Sequence, residues 1–235
     1  MNQRTVLITG ANRGLGAAFV EPFLSRGYSV FAGARNPATS SELKKLPRAH
    51  EDRLHVVSLD VSSDSSVKSA ADVVARKTDQ LDILINNAGR YGKEGAQLKN
   101  LDIADVLKTF DVNTVGCLRT TLAFLPLLRK GAEKKIVHIT SQLGSIADNR
   151  SGGSYGYRLS KAALNMLGKN LAIDLAAEGI TCVLLHPGWV KTDMGGPNAP
   201  LDIETSVAGM INVIVALTKD QSGSFLGYGG EVLPY

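Results

Sequence analysis

Tyr157 and Lys161 stand four residues apart in the run Tyr157-Arg158-Leu159-Ser160-Lys161, at the start of a stretch patterned as helix. Residues i and i+4 share a helix face, so a phenol and an ammonium would point into one cleft. A free phenol, with a pKa of about 10, is a poor acid or base near neutrality. A cation beside it favours the phenolate and lowers that value. The pair is therefore suited to moving a proton to or from an oxygen. Tyr155 competes for the role, but at ~100° per residue its spacing from Lys161 carries it well around the helix. Tyr-x-x-x-Lys is a common accident on its own, and its weight comes from what surrounds it.

Two further polar side chains fall near the pair. Ser141 directly follows an apolar, strand-like run at 136–140, where a hydroxyl could donate to a carbonyl oxygen. Ser145 would replace it if the turn shifted. Asn113 lies inside a helix-like stretch at 101–128. Asn is a mediocre helix former, so it marks either a kink that binds water or an exposed polar position.

These residues need a frame. Strand-like runs at 4–9, 28–34, 54–59, 81–86, 136–140, 180–186 and 225–228 alternate with helix-like runs at 15–26, 63–78, 101–128, 154–177 and 203–217. Ser62 or Ser63 suits a helix N-cap, Gly27 a helix stop, and Pro126 a kinked or shortened end. Residues 36–53 read as a surface loop or short helix. The alternation predicts one α/β domain over 1–235: a Rossmann-type, doubly wound parallel sheet of about seven strands with helices on both faces. In such sheets ligands bind beyond the carboxyl ends of the strands, and every candidate residue falls at one of those ends.

The first strand runs into Gly10-Ala11-Asn12-Arg13-Gly14-Leu15-Gly16. Glycines between a strand and a helix let the backbone approach a phosphate, and the helix start supplies free N–H groups. This favours a nucleotide over an empty tight turn. A fold preferring NAD places an acid at the end of strand two, against the ribose hydroxyls. Here that strand ends at Arg35, and Arg13 lies in the glycine loop. Either both arginines are solvated, or they flank a ribose 2′-phosphate, which favours NADPH over NADH. Asp60, followed by Val61, could accept from an adenine amino group or cap its own loop. Asn87-Ala88-Gly89 would let backbone run beside a flat ligand, although Asn also fixes turns unaided.

Composition narrows the field. The 26 basic and 22 acidic residues leave a net charge of +4, and the basic ones are scattered, which gives no case for nucleic acid. No apolar run is long enough for a membrane span, and no signal peptide is expected. Cys117 and Cys182 lie in apolar stretches and read as free thiols, which points to the cytoplasm. His50, His55, His138 and His186 lack metal-ligand spacing, so no metal is expected. Gly-x-Ser-x-Gly is missing, which argues against a nucleophile elbow. Lys134 and Lys135 read as a solvated turn.

Taken together, Thr9-Gly10-x-x-x-Gly14-x-Gly16, Asn86-Asn87-Ala88-Gly89, Asn113, Ser141, Tyr157-x-x-Ser160-Lys161 and Pro187-Gly188 resemble the short-chain dehydrogenase/reductase family. The runs 152–158, 186–196 and 222–235 are similar to its C-factor/sniffer-like carbonyl reductase subgroup. The Ser141-to-Tyr157 gap is longer than the family's commonest spacing, and the subgroup accounts for the extra residues 149–153. The resemblance implies that Tyr157 is the general acid/base, that Lys161 lowers its pKa and bonds the nicotinamide ribose, and that Ser141 polarises the substrate carbonyl. It implies that Asn113 holds a relay water, and that Pro187, Gly188, Val190 and Thr192 line the nicotinamide. Expected, then, is an NADPH-dependent reductase of small carbonyls that forms a homodimer or homotetramer. Residues around 191–205, with Gly195, Gly196, Pro197 and Pro200, would form a short substrate lid. Trp189 would offer an apolar contact there or belong to the core. A nucleotide-binding regulator on the same scaffold is the alternative.

Overall fold

The computed structural model describes residues 3–44, 52–93 and 97–235. Seven parallel strands form one sheet: β1 Thr5–Thr9, β2 Ser29–Ala34, β3 Leu54–Ser58, β4 Ile83–Asn86, β5 Lys135–Ile139, β6 Thr181–His186 and β7 Phe225–Gly227. Their order is β3-β2-β1-β4-β5-β6-β7. The direction of winding reverses between β1 and β4, where Ile8 sits between Ala32 and Ile85. A crevice opens at such a switch point, outside the carboxyl ends of the strands.

Alternation along each strand builds two cores. Val6 and Ile8 of β1, with Ile85, Val137, Ile139 and Leu185, pack under α1 (Gly14–Ala18), α2 (Val20–Ser25) and, after further elements, α8 (Ile203–Ala216). Leu7, Leu84, Ile136 and Cys182 face the opposite layer of α4 (Asp64–Ala75), α6 (Gly116–Leu128) and α7 (Tyr155–Asp174). Both faces are covered, which is why the strands read as near-continuous apolar runs. A short α3 (Ser41–Lys44) follows a turn at Pro37–Thr39, within the region expected as loop or short helix. Residues 45–51 of that region, His50 included, lie outside the described residues.

Three expectations need correction. The helix expected at 15–26 is two pieces broken at Phe19. Pro22 cannot donate a backbone N–H to the Ala18 carbonyl, and its ring crowds that carbonyl. The helix expected at 101–128 is α5 (Ile103–Phe110), a π turn at Asp111–Val115, then α6. Pro126 falls in the last turn of α6. Lys135 is no solvated turn residue: it opens β5, is buried, and donates to Glu133 at 2.9 Å and the Val215 carbonyl at 3.1 Å. Ser63 does cap α4, accepting from the Ser66 N–H.

No described helix is long and apolar enough to cross a membrane. Among the described residues no group of three His, Cys, Asp or Glu could hold a metal ion.

Candidate active site

Tyr157, Ser141, Lys161 and Asn113 are buried and meet at the carboxyl end of β5. Ser141 leaves β5 and caps a short turn at Gln142–Gly144, its hydroxyl accepting from the Leu143 N–H at 3.1 Å. That turn lies directly on α7. A Cβ on Gly144 would come within 2.8 Å of the Lys161 backbone, so only glycine allows the approach. The contact brings Ser141 into hydrogen-bonding reach of the Tyr157 phenol. Ser145, the alternative hydroxyl, accepts from the Asp148 N–H at 3.0 Å and serves its own loop. Tyr155, two residues earlier and so turned well away around the helix, is only half-buried, and Tyr157 is the tyrosine in the cleft.

Lys161 Nζ lies 5.7 Å from the centre of the Tyr157 ring and donates to the Ile139 carbonyl at 2.8 Å. Burial pulls its pKa down to about 8, partly offset by Cys117. Burial pushes the Tyr157 phenol up to about 12; the Ser141 bond draws it down and nearby Tyr91 adds to the rise. Desolvation of the ring thus dominates the phenol in the protein alone, contrary to the lowering expected from Lys161.

Asn113 sits in the π turn, fully buried rather than exposed. Its Oδ1 accepts from the Arg90 N–H at 2.8 Å, and its Nδ2 donates to the Arg90 carbonyl and to Ser160 Oγ, both at 2.9 Å. Ser160 in turn donates to the Tyr157 carbonyl at 2.7 Å. The kink in the helix is what points this carboxamide inward.

The glycine loop closes on itself at the switch point. A Cβ on Gly16 would lie 2.2 Å from the Gly10 carbonyl oxygen. Gly10 and Gly14 have φ of +67° and +53°. Leu15 packs against the core beneath, and Asn12 is half-buried in the loop. Asn87 Nδ2 donates to the Thr9 carbonyl at 2.8 Å, while the Asn87 and Ala88 N–H groups donate to the Thr9 hydroxyl. These bonds pin the ends of β1 and β4 together, with Gly89 running on toward Asn113 and Lys161.

Asp60 accepts from the Ser62 N–H at 2.9 Å and the Ser62 hydroxyl at 2.7 Å. Burial works against its charge, but Ser62, Arg35 and Arg119 hold the carboxyl below its usual range. Val61 is buried against Gly116. Arg35 is exposed at the end of β2. Arg13 is exposed too, and it reaches across to Asp193 at 2.7 Å.

Beyond β6, Pro187 accepts from the Ser206 hydroxyl at 2.6 Å, and Gly188 abuts Leu201 and Tyr228. Val190 bridges to Leu201, and Thr192 lies opposite Gly14, so this segment borders the crevice. Trp189 is not core: it is 57% exposed, its indole N–H donating to the Gly195 carbonyl at 2.8 Å. Sequence reasoning passed over Arg90, Tyr91 and Asp193. The only signal for the first two is their place directly after the Asn-Asn-Ala-Gly turn. Asp193 lies in the 186–196 run that carries the subgroup resemblance, but its pairing with Arg13, far away in the chain, has no sequence signal.

The family description "short chain dehydrogenase" matches residues 4–200. C-signal from Myxococcus xanthus is 51% identical over 158 residues, which span 67% of this chain and 95% of that protein. Two solved structures cover 100% of both chains: an NADPH-bound carbonyl reductase from chicken fatty liver, at 38% identity and a TM-score of 0.92, and carbonyl reductase Sniffer of D. melanogaster, at 37% and 0.93. With strand order, glycine loop and buried Tyr-Lys pair alongside these likenesses, the chain belongs to the short-chain dehydrogenase family.

Proposed function

We propose that the protein is an NADPH-dependent oxidoreductase acting between a small carbonyl and its alcohol, with Tyr157 as general acid in reduction and general base in oxidation. The observation that carries this reading is the buried Tyr157 phenol beside the crevice at the switch point, with Ser141 acting on it and Lys161 Nζ 5.7 Å from its ring centre. The dinucleotide fits that crevice: a loop without side chains at Gly10, Gly14 and Gly16 opens α1, and Arg35 stands where an acid would favour NADH. When bound, the cofactor supplies or takes the hydride.

The chain's own residues do the rest. Ser141 donates to the substrate oxygen and orients it, and Tyr157 gives that oxygen its proton. Lys161, with its lowered pKa, keeps a proton close to the phenol. Asn113 holds Arg90 and Ser160 in place. A relay water at Asn113 would donate to one of its oxygens, because both carboxamide hydrogens are engaged. Pro187, Gly188, Val190 and Thr192 form the wall for the nicotinamide, and residues 191–205 the lid over the substrate. Asp60 and Val61, with Asn87, Ala88 and Gly89, border the adenosine half. The regulatory reading has no observation of its own, since a pure binder needs no buried phenol beside an amine.

The reading includes a homodimer or homotetramer. Leu159, Met166 and Ile173 recur every seven residues along α7 and are 53–64% exposed, with Ile103 and Leu107 exposed on α5. Such an apolar stripe favours a partner helix. Two buried free thiols are consistent with a cytoplasmic setting.

The test is oxidation of NADPH and NADH in parallel against a panel of aldehydes, diketones and quinones, with Tyr157→Phe as control. NADPH-dependent turnover lost in the variant supports the reading. Tight NADPH binding with no turnover of any carbonyl overturns it.

A further inference from the structure

The loop between β4 and α5 holds an aromatic residue with no part in the mechanism above. The Tyr91 ring lies 4.7 Å from the Tyr157 ring, centre to centre, with the planes tilted by 33°. Its hydroxyl is 2.7 Å from the Ser154 hydroxyl. The two tyrosines line one small cavity together with Leu101, Val106, Ser154 and Gly156.

Ser154 stands at the N-cap of α7, where a serine ordinarily accepts from a helix N–H. Here it makes no such bond. It adopts a left-handed backbone, φ +44°, which residues other than glycine rarely take. Its hydroxyl is turned to Tyr91 instead. Tyr91 is fixed from both sides: Asn113 holds the Arg90 peptide, and the Lys93 N–H donates to Asp105 at 2.8 Å. The ring is therefore anchored at its backbone and at its hydroxyl, with the Tyr157 ring against its face.

We infer that Tyr91 is a positioning residue for proton transfer: it orients the Tyr157 phenol by packing ring on ring and by tying the β4–α5 loop to the first turn of α7 through Ser154. This rests on Tyr157 being the proton donor. Stacked aromatic pairs have defined geometry, and small misplacement of a reacting group is costly in rate. Tyr91 also adds to the upward push on the Tyr157 pKa.

The experiment compares Tyr91→Phe, Ser154→Ala, their double variant and Tyr91→Leu with wild type, using NADPH and a carbonyl that wild type reduces. Read out are kcat, KM, NADPH binding, and the pH profile of the reverse oxidation. Losing one neutral hydrogen bond should lower kcat roughly fivefold in Tyr91→Phe and in Ser154→Ala. KM and NADPH affinity should hold, and the double variant should be no slower than either single one. Tyr91→Leu should lose about a hundredfold in kcat. In both Tyr91 variants the rise of the oxidation rate with pH should begin at lower pH, which a merely structural role would not produce. Circular dichroism checks folding, and if the Leu variant misfolds the hydroxyl variants carry the test. An unchanged kcat and pH profile in the Tyr91 variants, with Tyr157→Phe inactive, overturns the inference alone. So does a rise in KM with kcat intact. An active Tyr157→Phe instead removes the acid assignment on which it rests.

Discussion

The carboxamide of Asn113 grips the Arg90 peptide from both sides, accepting from its N–H at 2.8 Å and donating to its carbonyl at 2.9 Å. With the third bond to Ser160, one side chain joins the loop after β4, the π turn and α7. Asn113→Ala would leave buried groups on Arg90 and Ser160 unpaired, at about 1–3 kcal/mol each where no water replaces the bond. We expect about 2–4 kcal/mol lost in urea unfolding, and kcat reduced more than tenfold. A variant as stable as wild type would show that the clip contributes nothing.

The pH dependence follows from Tyr157. Its phenol, raised to about 12, stays protonated through neutral pH. Reduction uses the protonated form, so loss of the phenol proton lowers kcat for reduction only in strong alkali, and a fall near pH 8 reports Lys161 instead. Oxidation uses the phenolate and should rise with pH throughout. Profiles for both directions on one substrate pair test this. An oxidation rate that levels off below neutrality would place the phenol's value far lower, as bound cofactor or a reoriented Lys161 would do.

The strands are legible in the sequence because both faces of the sheet are buried and each strand is a short apolar run between polar breaks. The site is legible for the same reason: glycine loop, Ser141 and Tyr157-Lys161 all fall at strand ends or helix starts. What is hidden depends on geometry that no periodicity encodes. Pro22 lies about two turns into the run that begins at Leu15, where the apolar pattern continues through it, yet the helix breaks at Phe19. The π turn adds one residue to a helix whose apolar pattern runs on through it. Lys135 looks solvated beside Lys134 and becomes buried only because Glu133 and the Val215 carbonyl receive its charge.

Arg13 and Asp193 form an exposed pair across the crevice. Exposed pairs are worth about 0.2–1 kcal/mol, so the aspartate is a weak competitor for an arginine that suits a phosphate. Asp193→Asn should tighten NADPH binding about two- to fivefold at low salt, with the gain vanishing at high salt. Arg35→Asp should lower the NADPH-to-NADH preference by roughly tenfold or more, since a carboxylate repels a 2′-phosphate and accepts from ribose hydroxyls. Titrations of cofactor fluorescence with both nucleotides would check this. An unchanged preference in Arg35→Asp would place the discriminating group elsewhere.

The stripe of Leu159, Met166 and Ile173 has a direct consequence for assembly. Met166 is 62% exposed, so a charge there is tolerated in a lone chain. At the centre of a helix-to-helix interface the same charge would be desolvated. Met166→Glu should therefore sediment as a monomer with its fold intact, while wild type sediments as a dimer or larger. Identical sedimentation of the two proteins would remove this face from the assembly.

Lys161 trades stability for chemistry. Its pKa falls from 10.5 to about 8 on folding because burial disfavours the ammonium. At ~1.4 kcal/mol per pH unit, holding it charged at neutral pH costs the native state roughly 3 kcal/mol. Between 8 and 10.5 the unfolded chain keeps a proton that the folded one has lost, so stability rises with pH across that window. Below it, both states are protonated and the cost is constant. Lys161→Met removes the charge and leaves the Ile139 carbonyl without its donor. The variant should be inactive yet more stable than wild type at pH 7, by about 1–2 kcal/mol after the lost hydrogen bond is counted. Its advantage should shrink as the pH is raised from 8 toward 10.5. Urea unfolding of both proteins at a series of pH values measures this. A variant less stable than wild type at pH 7 would mean that the buried ammonium is solvated or paired well enough to sit there without strain.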